Sequence, residues 1–262
     1  MRTTMGRLAL RVLRLSLWMT SFLVETCPRR WIKVDNIKLT RERTRVFDMV
    51  DNFDIIKPLL KFNDHQDFYF LQLLLRKKDG NNVPAGSDNQ RRLVRDYHIT
   101  STKMLDELKD DIIRHCNETN ARAYIRLNKR NYKTIAMAYA QETLEKARKG
   151  EQFGNTYNEI NSVIGRFPEG HKEDKTWLVD IDDFGPESSK VKVVMSIIQN
   201  HCQPYDDEKN KKIVAVIPTR SGTHLITKPF DLQAFNKFKQ VDLTNDGEVA
   251  VLHDNPTILY AP

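Results

Sequence analysis

The chain has 262 residues, 40% hydrophobic and 29% charged, with a formal net charge of +7. This length holds one large domain, or one domain with a small appendage, and supplies enough apolar residues for a buried core. The modest basic excess suits a polyanionic partner such as nucleic acid, because Lys and Arg release phosphate counterions on binding. Cys27, Cys116 and Cys202 are far apart and odd in number, which argues against a disulfide framework. The pairs His115-Cys116 and His201-Cys202 are adjacent in sequence, unlike the spaced ligands of zinc knuckles.

At the N-terminus, Arg2, Arg7, Arg11 and Arg14 precede an apolar run over residues 15–24. The pattern is that of a secretory signal, but Glu25 and Thr26 before Cys27 fit neither a small-residue cleavage site nor a lipoprotein cysteine. The run is also short for a bilayer span. Residues 1–27 are therefore expected to be a non-native or disordered leader, with Met19 as an alternative start. Residues 28–60 read as mixed and peripheral.

Residues 68–75, FYFLQLLL, read as a buried strand, and RKKDGNNVPAGSDNQ after it as a mobile loop. Residues 91–99 form the return strand of a hairpin. Arg76, Lys77, Lys78, Arg91, Arg92 and Arg95 flank the loop, either as template contacts or as a charged hairpin exterior. Ser101 or Thr102 caps a helix to about Cys116, striped by Leu105, Leu108, Ile112 and Ile113. ARAYIRL alternates as a strand, and residues 128–149 read as an amphipathic helix ended by Gly150. Lys129, Arg130 and Lys133 open that helix, as nucleic-acid contacts or as a solvated face.

The last third is denser in strands. TWLVDIDDF is one, a helix covers about 189–200, and KIVAVIP is the next strand. A tight corner at Ser221-Gly222 turns it into a hairpin. A short helix over 231–238 and strands at 248–252 and 257–262 close the chain. Such intermixing argues for α+β or α/β layers.

Three pieces carry chemistry. In Trp177-Leu178-Val179-Asp180-Ile181-Asp182, alternate side chains share a strand face, so Asp180 and Asp182 point the same way, about 7 Å apart. Two such carboxylates are costly unless neutralised, and a hard divalent ion neutralises them directly; the bland alternative is a polar strand end. Arg220, Ser221 and His224 gather donors for phosphate oxygens at a strand end, or else form an ordinary polar turn. Asp242 lies between apolar Val241 and Leu243, just before Asn245-Asp246-Gly247, and reads either as a further metal carboxylate or as a loop residue, with Asp246 its rival.

The order of these pieces, Asp-x-Asp, then Ser-x-x-His after a strand, then an apolar-flanked Asp, resembles the archaeo-eukaryotic primase superfamily. Within it the pattern resembles notably the bifunctional primase–polymerase domains of phages and plasmids. The resemblance covers residues 120–262 and implies an α+β fold, with an RRM-like catalytic core of mixed and antiparallel sheets packed with helices. It implies that Asp180, Asp182 and Asp242 hold two magnesium or manganese ions, and that Arg220, Ser221 and His224 contact the nucleotide's triphosphate. The expected activity is templated nucleotidyl transfer from NTP or dNTP on DNA, in phage or mobile-element replication. No Gly-Lys-Ser/Thr phosphate loop is present, so the expected helicase is a separate protein; no membrane partner and a cytoplasmic location, the host's if phage-encoded, are expected.

On this reading residues 28–119 form an N-terminal α/β part, and residues 120–262 the catalytic core. Two alternatives stand beside it. One is an inactive nucleic-acid-binding protein of the same fold. The other is an ATP-dependent ligase, because Lys77-Lys78-Asp79-Gly80 matches the Lys-x-Asp-Gly pattern in which the lysine, Lys77, attacks a nucleotide phosphate.

Overall fold

The computed structural model describes residues 49–81, 91–166, 174–206, 211–242 and 249–262. All of them belong to one compact unit over 42–262. The leader, most of the segment expected to be peripheral and the tip of the 76–90 loop lie outside the described residues. The fold is α+β, with two antiparallel sheets and six helices among the described residues.

The first sheet is organised by β2 (Asp67–Arg76). Its side chains alternate: Phe68 and Phe70 on one face, Tyr69, Leu71 and Leu73 on the other, and all five are buried. Both faces are covered, which explains why the sequence shows a continuous apolar run. α2 (Thr102–Thr119) buries Leu105, Ile112 and Cys116 in the core shared with Leu71 and Leu73. α3 (Tyr132–Lys149) and α4 (Thr156–Arg166) bring Ile135, Val163 and Ile164 onto Phe68 and Phe70. The sheet order is β1 (Val50–Asp51), β10 (Thr257–Ala261), β4 (Arg122–Ile125), β2, β3 (Arg91–Ile99), with the short β5 (Arg130–Asn131) also on β2. This sheet takes strands from both sides of residue 120.

Caps set the helix ends. The Ser101 hydroxyl accepts from the Met104 amide, and the Asn131 carboxamide oxygen accepts from Lys133 and Thr134. α3 therefore starts at Tyr132, not at Asn128 as the amphipathic pattern suggested. Gly150 ends it in the left-handed region, at φ 68°.

The second sheet has the order β7 (Ile213–Pro218), β8 (Gly222–Thr227), β6 (Trp177–Asp182), β9 (Val249–Leu252). On one face Val179, Ile181, Leu225 and Val249 pack with Val191, Val194, Ile198 and Phe235 of α5 (Ser189–His201) and α6 (Leu232–Asp242). On the opposite face Leu178, Ile217 and Ile226 enter the core of the first sheet. Asp180 and Asp182 stand on that same face, beyond the apolar end.

The segment before β2 is not peripheral. Val50, Phe53, Ile56 and Leu60 are buried in the main core, from the short strand β1 and a single helical turn α1 (Phe53–Ile56). Asn52, fully buried, donates to the Pro218 carbonyl of one sheet and the Ile258 carbonyl of the other, both at 3.0 Å.

A polar node joins the chain between the sheets. Asp254, after β9, accepts from Arg130 at 2.6 Å, from Arg126 at 3.3 Å and from Asn128 at 2.9 Å. Asn128 also donates to the Thr176 carbonyl and accepts from the Thr176 amide, just before β6. Arg130 has no exposed surface. Such a buried pair adds little net stability over an apolar substitute, but removing one member strands the other charge. Asp254→Ala is expected to lower unfolding free energy by about 3–5 kcal/mol, read as a drop in the urea midpoint. Asp254→Asn, which keeps an acceptor, should cost less.

Candidate functional site

β6 and β8 run antiparallel with Asp180 opposite His224 and Asp182 opposite Gly222. The pairing at Gly222 has a steric cause. A Cβ there would sit 2.2 Å from the Ile181 carbonyl oxygen, so only glycine lets the two strands close at this point. The glycine serves close approach and not, as its place in the corner suggested, a sharp turn by itself. The turn over residues 219–222 is closed by the Thr219 amide donating to the Gly222 carbonyl at 2.9 Å. Asp183, left-handed at φ 66°, donates its amide to the Ser221 carbonyl at 2.7 Å, locking the ends of β6 and β8 together.

His224 is held at both ring nitrogens. Nε2 lies 3.3 Å from Asp180 Oδ1, and Nδ1 lies 2.9 Å from the hydroxyl of Thr257, at the start of β10 in the first sheet. The imidazole is mostly buried, and the Asp180 carboxylate is about one-third exposed, at 33%. Burial works to raise the Asp180 pKa. The hydrogen bond from His224 and the positive charges of His224, Lys78 and Arg76 outweigh it and hold the carboxyl below its ordinary range. Asp182 is exposed at the mouth.

Further cations come from the first sheet, and sequence reasoning placed none of these at this site. β2 ends at Arg76 and passes into a 3-10 turn, Lys77–Asp79, ended by Gly80 at φ 79°. The Asp79 side chain, 6% exposed, pairs with Arg122 of β4 and lies 4.0 Å from Arg220 of the second sheet's turn. Partial desolvation of this otherwise exposed side chain, and repulsion from Arg76 and Arg122, lower the Lys78 pKa against the opposing pull of Asp79 and Asp182. Lys77-Lys78-Asp79-Gly80 was visible as a motif, but nothing local pairs it with residues about a hundred positions later.

The structure brings Asp180, Asp182, His224 and Arg220 to one end of the sheet face, with Ser221 exposed beside them. It does not bring Lys129 and Arg130 there. Lys129 pairs with Asp67 at 2.9 Å in the interior, and Arg130 is turned onto Asp254, so both serve the fold instead of facing a nucleic acid. Lys133 is exposed on α3. Asp242 is the last residue of α6, not a strand-flanking position, and its rival Asp246 lies outside the described residues.

The donors fit magnesium or manganese. Asp180 and Asp182 are two hard oxygen donors on one strand face, and Asp180 is kept ionised by its neighbours. Magnesium commonly takes one or two carboxylates and completes its shell with water and substrate phosphate. Among the described residues no group of three or more His, Cys, Asp or Glu side chains gathers as a metal cage. No helix among them is long and apolar enough to cross a membrane. The chain matches no family model, no curated protein and no solved structure.

The depressed Asp180 pKa has a definite sign. Its stabilising contribution is present above the unfolded pKa, near 3.8, and is lost as pH falls through the lower folded value. The gap in urea midpoint between the protein and Asp180→Asn should shrink as pH falls below about 4. A gap that goes on widening below that pH would contradict this.

Proposed function

We propose that this chain is a metal-dependent nucleotidyltransferase of primase–polymerase type, with an RRM-like catalytic core built on β6 and β8. The observation that carries the reading is the facing of Asp180 and His224 across adjacent strands, on the same side as Asp182 and against cations from the other sheet.

In this reading Asp180 and Asp182 would hold magnesium or manganese, which when bound supplies Lewis-acid charge to the reacting phosphate and lowers the pKa of the attacking hydroxyl. A two-ion arrangement requires a further carboxylate, a role the family resemblance gives to Asp242. His224, with Nδ1 fixed by Thr257, presents Nε2–H to a phosphate oxygen in place of Asp180. Ser221 offers its exposed hydroxyl and Arg220 its guanidinium to the same triphosphate. The substrate class is a nucleoside triphosphate opposite a nucleic-acid template, and the net charge of +7 favours the template's approach.

A second reading has its own observation. The His224–Asp180 contact satisfies both groups without any ligand, as in a non-catalytic binding protein of this fold. The deciding assay is incorporation of labelled nucleotide on a primed or unprimed DNA template with magnesium or manganese. Asp180→Ala and Asp182→Ala should each reduce it by about a thousandfold or more, and His224→Ala by about a hundredfold, with folding retained. Synthesis surviving both carboxylate changes would falsify the assignment. Strand binding without synthesis by the unaltered protein favours the second reading, and a covalent protein–AMP adduct lost in Lys77→Ala favours a ligase.

A further inference from the structure

The turn after β2 is the piece of the first sheet that reaches the acidic strand. Its anchor is Asp79, whose carboxylate pairs with Arg122 and approaches Arg220 at 4.0 Å, so one buried carboxylate serves two guanidinium groups from two sheets. The anchoring is incomplete: Asp79 Oδ2 and Arg122 Nε are buried without a hydrogen-bond partner, although both side chains are more than nine-tenths buried. Arg76 donates to the Tyr124 hydroxyl at 2.9 Å and carries no ion pair with a described residue. Lys78 is exposed and makes neither a hydrogen bond nor an ion pair with any described residue. Arg122 and Arg220 thus converge on one buried acid, and Arg76 and Lys78 flank it along the same stretch of chain. Near them stand Asp180 and Asp182, which on the reading above are committed to a divalent ion.

Cations so placed near two carboxylates suit a compact, highly charged anion. Guanidinium and ammonium donors side by side suit several phosphate oxygens at once. A strand backbone offers one charge per phosphate at wide spacing, whereas a triphosphate concentrates its charge within the reach of adjacent residues. The carboxylates and the cations also become compatible when both are engaged by one metal–triphosphate complex.

We infer that Arg76, at the end of β2, and Lys78, on the turn anchored by Asp79, bind the triphosphate of the incoming nucleotide beside Asp180 and Asp182. This rests on the nucleotidyl-transfer reading. Lys78 is the contact, and Asp79 with Arg122 and Arg220 positions the turn. The electrostatic influence of Lys78 on both Asp180 and Asp182 accords with that placement.

The experiment is equilibrium binding by the full chain of a fluorescent nucleoside triphosphate with magnesium, with inorganic tripolyphosphate as competitor. Binding of a labelled single-stranded DNA oligonucleotide is measured in parallel. Lys78→Ala should weaken triphosphate binding about tenfold or more, with a parallel loss of competition by tripolyphosphate. Lys78→Arg should restore binding to within about threefold, and oligonucleotide binding should change by less than about twofold. Because Lys78 is exposed, an unchanged urea midpoint verifies the fold. Unaltered triphosphate binding in Lys78→Ala overturns the inference alone. A larger loss for the oligonucleotide than for the triphosphate also overturns it, assigning these cations to the strand's phosphodiesters. Absence of triphosphate binding in the unaltered protein overturns both this inference and the nucleotidyl-transfer reading.

Discussion

The imidazole of His224 is fixed at both nitrogens, by a carboxylate on the neighbouring strand and by a hydroxyl from the other sheet. This double hold ties three things together. It sets which ring nitrogen faces Asp180, it helps hold the Asp180 carboxyl below its ordinary range, and it pins the second sheet to β10 of the first. The contact depends in turn on Gly222, where the backbones of β6 and β8 approach too closely for any side chain. Shift that register by one residue and Asp180 turns into the apolar face occupied by Val179 and Ile181.

Charge is distributed in two tiers. Interior ions are paired and serve the fold: Lys129 with Asp67, Arg130 with Asp254, and Lys212, whose ammonium is buried among the Gln199, Cys202 and Pro204 carbonyls near Asp206. Groove ions are arranged differently. Asp79 is shared between two arginines, while Lys78 and Asp182 stand exposed. A desolvated charge without a close partner is costly, so the interior tier is saturated.

The strands around the acidic pair were legible in the sequence because period-2 alternation needs only local information. Trp177–Asp182 shows Val179 and Ile181 inward and Asp180 and Asp182 outward, as the structure has them. The Asp180–His224 facing is non-local: α5 and β7 lie between β6 and β8, so no tight turn fixes that register. What the sequence hides is set by distant partners. A basic run at 129–133 looks solvated, but Lys129 and Arg130 are buried because their acids lie 62 residues before and 124 residues after them, at Asp67 and Asp254. Residues 49–60 look peripheral because a two-residue strand and one helical turn carry no periodic signal, yet they complete the main core. Arg76 and Lys78 read only as loop-flanking charges for the same reason: the influence of Lys78 on Asp180 and Asp182 arises through the packing of one sheet on the other.

The central claim is that two carboxylates on β6 and a cationic turn on β2 enclose one metal–triphosphate site. Anomalous diffraction from crystals soaked with manganese and a nucleoside triphosphate tests it most directly. The account predicts a manganese peak at the carboxylates of Asp180 and Asp182, with the triphosphate lying between them and Lys78 and within reach of His224 Nε2. A peak away from β6, or a nucleotide bound with its phosphates turned from the Lys77–Asp79 turn, would contradict it.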